Sequence, residues 1–447
     1  LTISVSPGAE LELTFTDLLA NGQAVGRTGG IVVFCVGPLP GERARVRITA
    51  IKPKYAVADL LETLEISADR VAPFCPVFGT CGGCQVQHLA YAAQLAWKRD
   101  VVRNALTRIG GFAGVTVGET IGMQSPRAYR NKMSLVVDRS CERVGFYKQR
   151  SHDVVQIDAC PIVMPRLDEQ IPRLNAAKND ARTAEAFART QHIVARTARA
   201  SGDVVVTFTT KHPDPAIEKH SAEIVQGLGK ITGLTNSYDL MGENAILGRK
   251  QSMVAGSATI EESIGGLRYR VSAGSFFQVN VEIVERIFSH LEPRLHKPLR
   301  ILDLYCGAGT FALFFAKHGA SVVGIEENAR AVAEARENAE LNGLAARARF
   351  RRGHVRDALA RPDVAREVAA ADVVFLDPPR KGCDPPVLAA IAAHRARAVW
   401  YLSCDPATLA RDLKFLAAKG YRIDEVQPFD MFPQTGHVET LALLSLF

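Results

Sequence analysis

The chain is predicted to be an α/β protein in three parts. An N-terminal β-barrel of the oligonucleotide-binding kind is expected over residues 1–66, a central α+β segment over 67–274, and a Rossmann-like doubly wound domain over 275–447. Three observations predict this. Short apolar runs broken by Gly and Pro fill the first part, three cysteines crowd into Cys75–Cys84, and strands alternate with helices from about residue 299. A length of 447 residues suits two or three domains, and 47% hydrophobic content is enough for packed cores.

In the first part, Leu11–Phe15, Ile31–Phe34 and Ala44–Ile48 read as strands, punctuated by Gly29-Gly30 and Pro38-Leu-Pro-Gly41. In the second, Ala90–Ile109 reads as a helix and residues 127–160 as strands. Ala184–Ala200 reads as a basic helix. In the third, Arg300–Tyr305, Ser321–Glu326, Asp372–Asp377 and Ala398–Ser403 are strands. A helix from Ala329 to Asn342 ends at Gly343, and the last strand runs through Leu441–Leu444.

No apolar run approaches the ~20 residues that cross a bilayer. The first twenty residues carry Glu10, Glu12 and Asp17 and lack a signal pattern, so a cytoplasmic protein, a monomer with no membrane partner, is expected. Nine cysteines in such a chain argue for metal binding, catalysis or burial rather than a disulfide framework. Cys35, Cys141, Cys306 and Cys383 are read as structural. The net charge is +7, but Lys98–Arg150 holds eleven Lys or Arg against four Asp or Glu, and Arg43, Arg45, Arg47, Lys52 and Lys54 form a second basic stretch. Both suit a polyphosphate partner, and both equally suit a solvated surface.

Asp303-Leu-Tyr-Cys-Gly-Ala-Gly-Thr310 closes a strand and opens a helix. Its glycines let a ligand lie against the backbone, and Glu326, nineteen residues past Gly307, ends the next strand where a carboxylate can accept from ribose hydroxyls. With no clear pyrophosphate site, S-adenosylmethionine is favoured over NAD. Asp377, opening Asp377-Pro-Pro-Arg380, and Cys404, opening Cys404-Asp-Pro406, lie at two more strand ends, so all should meet in one crevice. A thiolate adding to carbon 6 of uracil makes carbon 5 nucleophilic toward a sulfonium methyl, and a base must then remove the carbon 5 proton. Cys404 is the candidate nucleophile and Glu439, in Gly436-His-Val-Glu-Thr440, the candidate base, with His437 beside it. The positive end of the helix starting near Ala407 is expected to help ionise the thiol. Cys75, Cys81 and Cys84, with Cys160 as a distant fourth, suit zinc or an iron–sulfur cluster.

These motifs together resemble the bacterial 5-methyluridine RNA methyltransferases, most closely the 23S ribosomal RNA enzymes with a TRAM barrel and an iron–sulfur cluster. The likeness covers almost the whole chain. Gly37–Glu42 resembles the TRAM barrel, Tyr129-Arg-Asn-Lys-Met133 and Ser151-His-Asp153 resemble segments of the cluster domain, and Ser275–Asn280 resembles a cofactor-contacting stretch. The resemblance implies a Rossmann-like methyltransferase domain and a [4Fe-4S] cluster on Cys75, Cys81, Cys84 and Cys160. It implies cofactor contacts from Gln278, Tyr305, Glu326 and Asp377, and catalysis by Cys404 and Glu439 on an RNA, ribosomal RNA ahead of tRNA. Thr310 and His354 stand where the family pattern has Asn contacts to the cofactor.

Three rival readings are separable. Asp377-Pro-Pro-Arg380 resembles the signature of amino-group methyltransferases, but Arg380 replaces their aromatic residue. DNA cytosine-C5 enzymes carry their Cys in the segment equivalent to 377–380, where this chain has none. A non-catalytic RNA-binding or redox-sensing protein of this fold would lack Cys404 or Glu439.

Overall fold

The computed structural model describes residues 6–138, 140, 142–242 and 245–447. The first element is a closed five-stranded barrel of β1 (Glu10–Leu18), β2 (Gln23–Thr28), β3 (Ile31–Val36), β4 (Arg43–Lys52) and β5 (Tyr55–Glu65), in the order β1-β2-β3-β5-β4. Gly29 and Gly30, at φ of 52° and 80°, make the tight turn between β2 and β3. Phe15, Val33, Val46 and Ile48 point inward to a small core. The alternate residues of β4 point out, where Arg43, Arg45 and Arg47 pair with Glu12 and Glu65, Glu62, and Glu10 on the flanking strands. Three of the five cations of this basic stretch are therefore ion-paired on the barrel's own surface. The buried Glu42 carboxylate accepts from Leu39 N, Ser67 N and Arg70, fixing the barrel to the segment that follows.

Helix α1 (Tyr91–Ala105) continues into a wider turn over Leu106–Gly110. Trp97 donates its indole N–H to the Leu18 carbonyl at 2.8 Å, docking α1 on the barrel. Its other face, with Val102 and Leu106, enters the C-terminal core. Lys98 is fully buried against Asp430 and is thus no part of a basic surface.

The central sheet runs β12-β11-β10-β9-β6-β7-β8. It contains β6 (Lys132–Val137), β7 (Val144–Tyr147), β8 (Val154–Gln156), β9 (His192–Thr197), β10 (Val204–Thr209), β11 (Gly233–Tyr238) and β12 (Lys250–Gly256). The short helices α2 (Pro165–Asp168), α3 (Gln170–Asn179), α4 (Ala184–Phe187), α5 (Pro215–Lys219) and α6 (Ser221–Leu228) connect its strands, and Leu167, Ile171, Leu174, Ile217 and Ile224 pack in its core. The expected helix over Ala184–Ala200 is corrected here. Only Ala184–Phe187 is helical, and His192–Thr197 is a strand in mid-sheet, buried at every residue. Ile193 and Val194 suit such a strand, and burial on both faces removes the alternation that would mark it.

A hairpin of β13 (Thr259–Ile264) and β14 (Leu267–Ser272) opens the C-terminal unit. Ile260, Leu267, Tyr269 and Val271 share a core with the residues that follow, so this core reaches back before residue 275. The sheet order is β17-β16-β15-β18-β19-β21-β20. Its strands are β15 (Arg300–Leu304), β16 (Ser321–Glu326), β17 (Ala348–Arg352), β18 (Val373–Leu376), β19 (Ala398–Ser403), β20 (Tyr421–Phe429) and β21 (Glu439–Leu446). Its helices are α7 (Val281–Leu291), α8 (Thr310–Lys317), α9 (Ala329–Leu341), α10 (Val355–Leu359), α11 (Pro362–Ala370), α12 (Pro385–Ala393) and α13 (Pro406–Ala417). The first five strands are parallel, and β21 inserts antiparallel between β19 and β20. Strand order reverses between β15 and β18, which opens a crevice at their carboxyl ends. Among the described residues no helix is long and apolar enough to cross a membrane.

Candidate active site

A cavity of about 880 Å³ occupies that crevice and extends to the central sheet. Gln278, Tyr305, Glu326, Asp377, Cys404 and Glu439 line it, as do Cys75, Cys81, Cys84 and Cys160. Every residue singled out from the sequence for the site is therefore on one cavity wall or another. His354 also lines it. Thr310 does not: it starts α8, buried, with its carbonyl accepting from the Tyr269 hydroxyl at 3.0 Å.

One wall is built by the turn after β15. Tyr305 adopts φ of 67°, and Gly307 follows at 53° with open space where a side chain would point. Gly309 caps α8 at φ of 86°, and a β-carbon there would lie 3.1 Å from Phe350 and 3.3 Å from Ala335, so this close helix–strand approach needs glycine. The Glu326 carboxylate is oriented by two backbone donors, Gly307 N at 3.2 Å and Asn328 N at 2.8 Å. Asp303, behind the turn, was not picked out from the sequence. Burial, then Asp377 nearby, raises its carboxyl well above the usual range.

At the other end, Cys404 follows β19 and Glu439 begins β21, two paired strands with Ser403 opposite Thr440. Burial first, then Glu439 and Asp377, pushes the Cys404 thiol up to about 12, and Arg380 opposes them. Burial, then Asp377, raises the Glu439 carboxyl well above its ordinary value, again against Arg380. Asp377 is pushed up to about 7 by burial, while Gln278 Nε2, 3.3 Å from its Oδ2, favours the charged form. The expected help from the following helix is corrected. The Asp405 carboxylate caps α13, accepting from Ala407 N and Thr408 N at 2.9 Å each, so these donors face Asp405 rather than the thiol. Arg380 is the nearby cation instead. It stands 3.1 Å from His437 Nε2, and burial followed by Arg380 pushes that imidazole down to about 4, leaving it neutral. The sequence showed Arg380 only as a departure from another signature.

Cys75, Cys81 and Cys84 come from the loop before α1, and Cys160 from the segment before α2. Burial raises Cys81, lifts Cys84 to about 12 and Cys160 to about 11, and the thiols act on one another. Gly83 N lies 3.4 Å from Cys81 Sγ. Among the described residues no group of three or more His, Cys, Asp or Glu is gathered closely enough to hold a metal ion. Cys35, Cys306 and Cys383 are buried and unpaired, as read, whereas Cys141 lies outside the described residues.

The family model described as tRNA (Uracil-5-)-methyltransferase matches residues 91–446, and that of the TRAM domain matches residues 5–61. The chain belongs to the uracil-5 RNA methyltransferases. Among its relatives are uncharacterised RNA methyltransferases of Listeria innocua and of Halalkalibacterium halodurans, each 36% identical over 98% of this chain and 97% of the relative. A third, of Thermosynechococcus vestitus, is 37% identical over 98% of both chains. The crystal structure of the Pyrococcus abyssi tRNA (uracil-54, C5)-methyltransferase in complex with S-adenosyl-L-homocysteine is similar over 97% of this chain and 100% of its own, with a TM-score of 0.74 and 28% identity.

As a member of this methyltransferase family the chain is an enzyme that uses S-adenosylmethionine on RNA. The cavity suits that donor. An open glycine, an oriented carboxylate at the end of β16 and Asp377 at the end of β18 offer hydrogen-bond acceptors to a cationic nucleoside.

Proposed function

We propose that this enzyme methylates carbon 5 of a uridine in RNA through a transient bond from Cys404 Sγ to carbon 6, with Glu439 as the base. The observation carrying this reading is that Cys404, Glu439 and Asp377 line the same cavity as the Gly307–Glu326 wall. When bound, S-adenosylmethionine supplies an electrophilic methyl group on a sulfonium.

The Cys404 thiol gives its proton to solvent water as sulfur adds to carbon 6, and the electron pair of the 5,6 double bond moves into the ring as an enolate. Carbon 5 then takes the methyl group, and the bonding pair stays on the donor sulfur. Glu439 accepts the carbon 5 proton, the C–H pair restores the 5,6 double bond, and the thiolate leaves. A carboxyl held above its ordinary value is matched to a proton from carbon, since the best base titrates near the working pH. Arg380 offsets the negative charge that passes between Cys404 and Glu439. Phe276, 70% exposed on the cavity rim, offers a face on which an unstacked base can lie.

Cys75, Cys81, Cys84 and Cys160 would hold a [4Fe-4S] cluster as the resemblance implies, since an all-thiol donor set suits iron–sulfur and no step of the reaction passes through it. Iron and sulfide assay of anaerobically purified protein tests this, and zinc in their place would refute it. Ribosomal RNA, 23S in particular, is the proposed substrate on the same resemblance. A tRNA uridine is the second reading, favoured by the full-length likeness to the Pyrococcus abyssi tRNA enzyme. Mass-spectrometric mapping of 5-methyluridine after incubating 23S rRNA and tRNA transcripts with the protein separates them. A denaturing gel with 5-fluorouridine RNA and labelled S-adenosylmethionine tests the mechanism, and absence of a covalent band would count against Cys404.

A further inference from the structure

The cavity is also lined by two cations that the proposed reaction does not use. Lys132 on β6 and Arg196 on β9 are direct partners in the antiparallel register, and both line the cavity. Directly opposed side chains share a face of the sheet, and like charges placed so repel. Arg196 is only 1% exposed. Its Nη2 donates to the Ser275 carbonyl at 3.0 Å, while Nε and Nη1 meet no acceptor. Of the carboxylates that act on Arg196, neither hydrogen-bonds to it, although Glu334 Oε2 has no hydrogen-bond partner among the described residues. Glu334 accepts from the Ser275 hydroxyl at 2.8 Å, and Glu262 from Arg199 N and Ser263 N at 2.9 Å each. The Lys132 side chain has no hydrogen bond or ion pair among the described residues. Burial, then Arg196 and Arg130, pushes its ammonium down to about 7.

Burying charge without a partner costs several kcal/mol. Such a pair is stable where an anion joins it, and the enzyme's macromolecular substrate carries one phosphate per nucleotide. The acceptor-rich Gly307–Glu326 wall, by contrast, suits the cationic donor. We propose that Lys132 and Arg196 form a phosphate subsite that takes one internucleotide phosphate of the RNA strand beside the target uridine. This rests on the reading of the cavity as an RNA site. Arg196 contributes its two unused donors and Lys132 its free ammonium, and the phosphate offsets their mutual repulsion.

The test is fluorescence anisotropy with a labelled, short, uridine-containing single-stranded RNA over a range of KCl concentrations. For Lys132→Gln, the slope of log affinity against log salt becomes shallower by about 0.7, the value for removing one neutralised phosphate on a single strand. Affinity at low salt falls roughly tenfold, the size of one charge-assisted hydrogen bond. Lys132→Arg restores both, and S-adenosylhomocysteine affinity is unchanged in either variant. Because an Arg196 variant risks misfolding, a neutral methylphosphonate placed beside the uridine serves instead: it weakens binding to the wild type but adds nothing to Lys132→Gln. An unaltered salt slope in Lys132→Gln overturns the subsite alone. So does a variant that loses S-adenosylhomocysteine and keeps RNA, which would give the pair to the donor's carboxylate. Failure of the wild type to bind the probe at all would fall on the RNA reading as well.

Discussion

Lys98→Met is expected to be among the most damaging single substitutions outside the cavity, and its size follows from the surroundings of Lys98. Its Nζ lies 2.5 Å from Asp430 Oδ1 and 3.0 Å from the Phe432 carbonyl, and neither side chain of the ion pair has any exposed surface. Tyr91 donates to the other Asp430 oxygen at 2.9 Å. Removing the ammonium leaves a buried carboxylate with one donor and an unpaired carbonyl. Breaking one side of a buried pair costs about 3–5 kcal/mol. For a cooperative unit of this size each kcal/mol moves the melting temperature by roughly 2–4 °C, so a fall of roughly 6–20 °C is expected. Lys98→Met combined with Asp430→Asn removes the orphaned charge and should recover much of that stability. Differential scanning calorimetry of wild type, single and double variants measures this. A single variant melting within about two degrees of wild type, or no better recovery in the double, would refute the argument. The pair also anchors the segment from Asp430 to Glu439, so activity should fall at temperatures where the variant is still folded.

Cys404→Ala should bind S-adenosylhomocysteine with wild-type affinity by calorimetry and yield no methylated RNA; retained methylation removes Cys404 from its role. Glu439→Gln should accumulate the covalent protein–RNA adduct on ordinary uridine RNA, because the carbon 5 proton stays in place; release of product at the wild-type rate would sink the assignment. His88, 4% exposed, is pushed down to about 4, chiefly by burial and then by Arg70, against an ordinary value near 6.5. The unfolded chain then binds more protons than the folded one between these values, so stability is full above about 6.5 and is lost as pH falls toward 4. The loss is on the order of 3 kcal/mol. His88→Leu should flatten that part of the melting-temperature profile, and an unchanged acid slope would show that His88 does not set it.

The readable parts of the sequence were those whose signals are local. Gly29-Gly30, the glycines after β15 and the run ending at Gly343 each announce a backbone conformation within a few residues. Residues 167–274 were hard to read because β9 and β10 are buried along their whole length and so show no alternation. Moreover, β9 finds its partner β6 some sixty residues upstream, a pairing no local pattern announces. Cys404 and Glu439 could be named as candidates because the proposed chemistry asks for a thiol and a base. Arg380 and the Lys132–Arg196 pair were not, since their meaning depends on which strands lie side by side. Asp405 was not read as a cap; its effect on the helix donors emerges only from the two bonds it accepts.

That cap has a protective side. With the first amides of α13 engaged and the Cys404 thiol pushed up to about 12, chiefly by burial, the sulfur rests protonated at neutral pH. A permanently ionised sulfur beside a methylating agent would consume that agent and inactivate itself. In the proposed mechanism, a Cys404 that stays dormant until a pyrimidine is there to receive it lets donor and enzyme wait together unharmed between encounters with RNA.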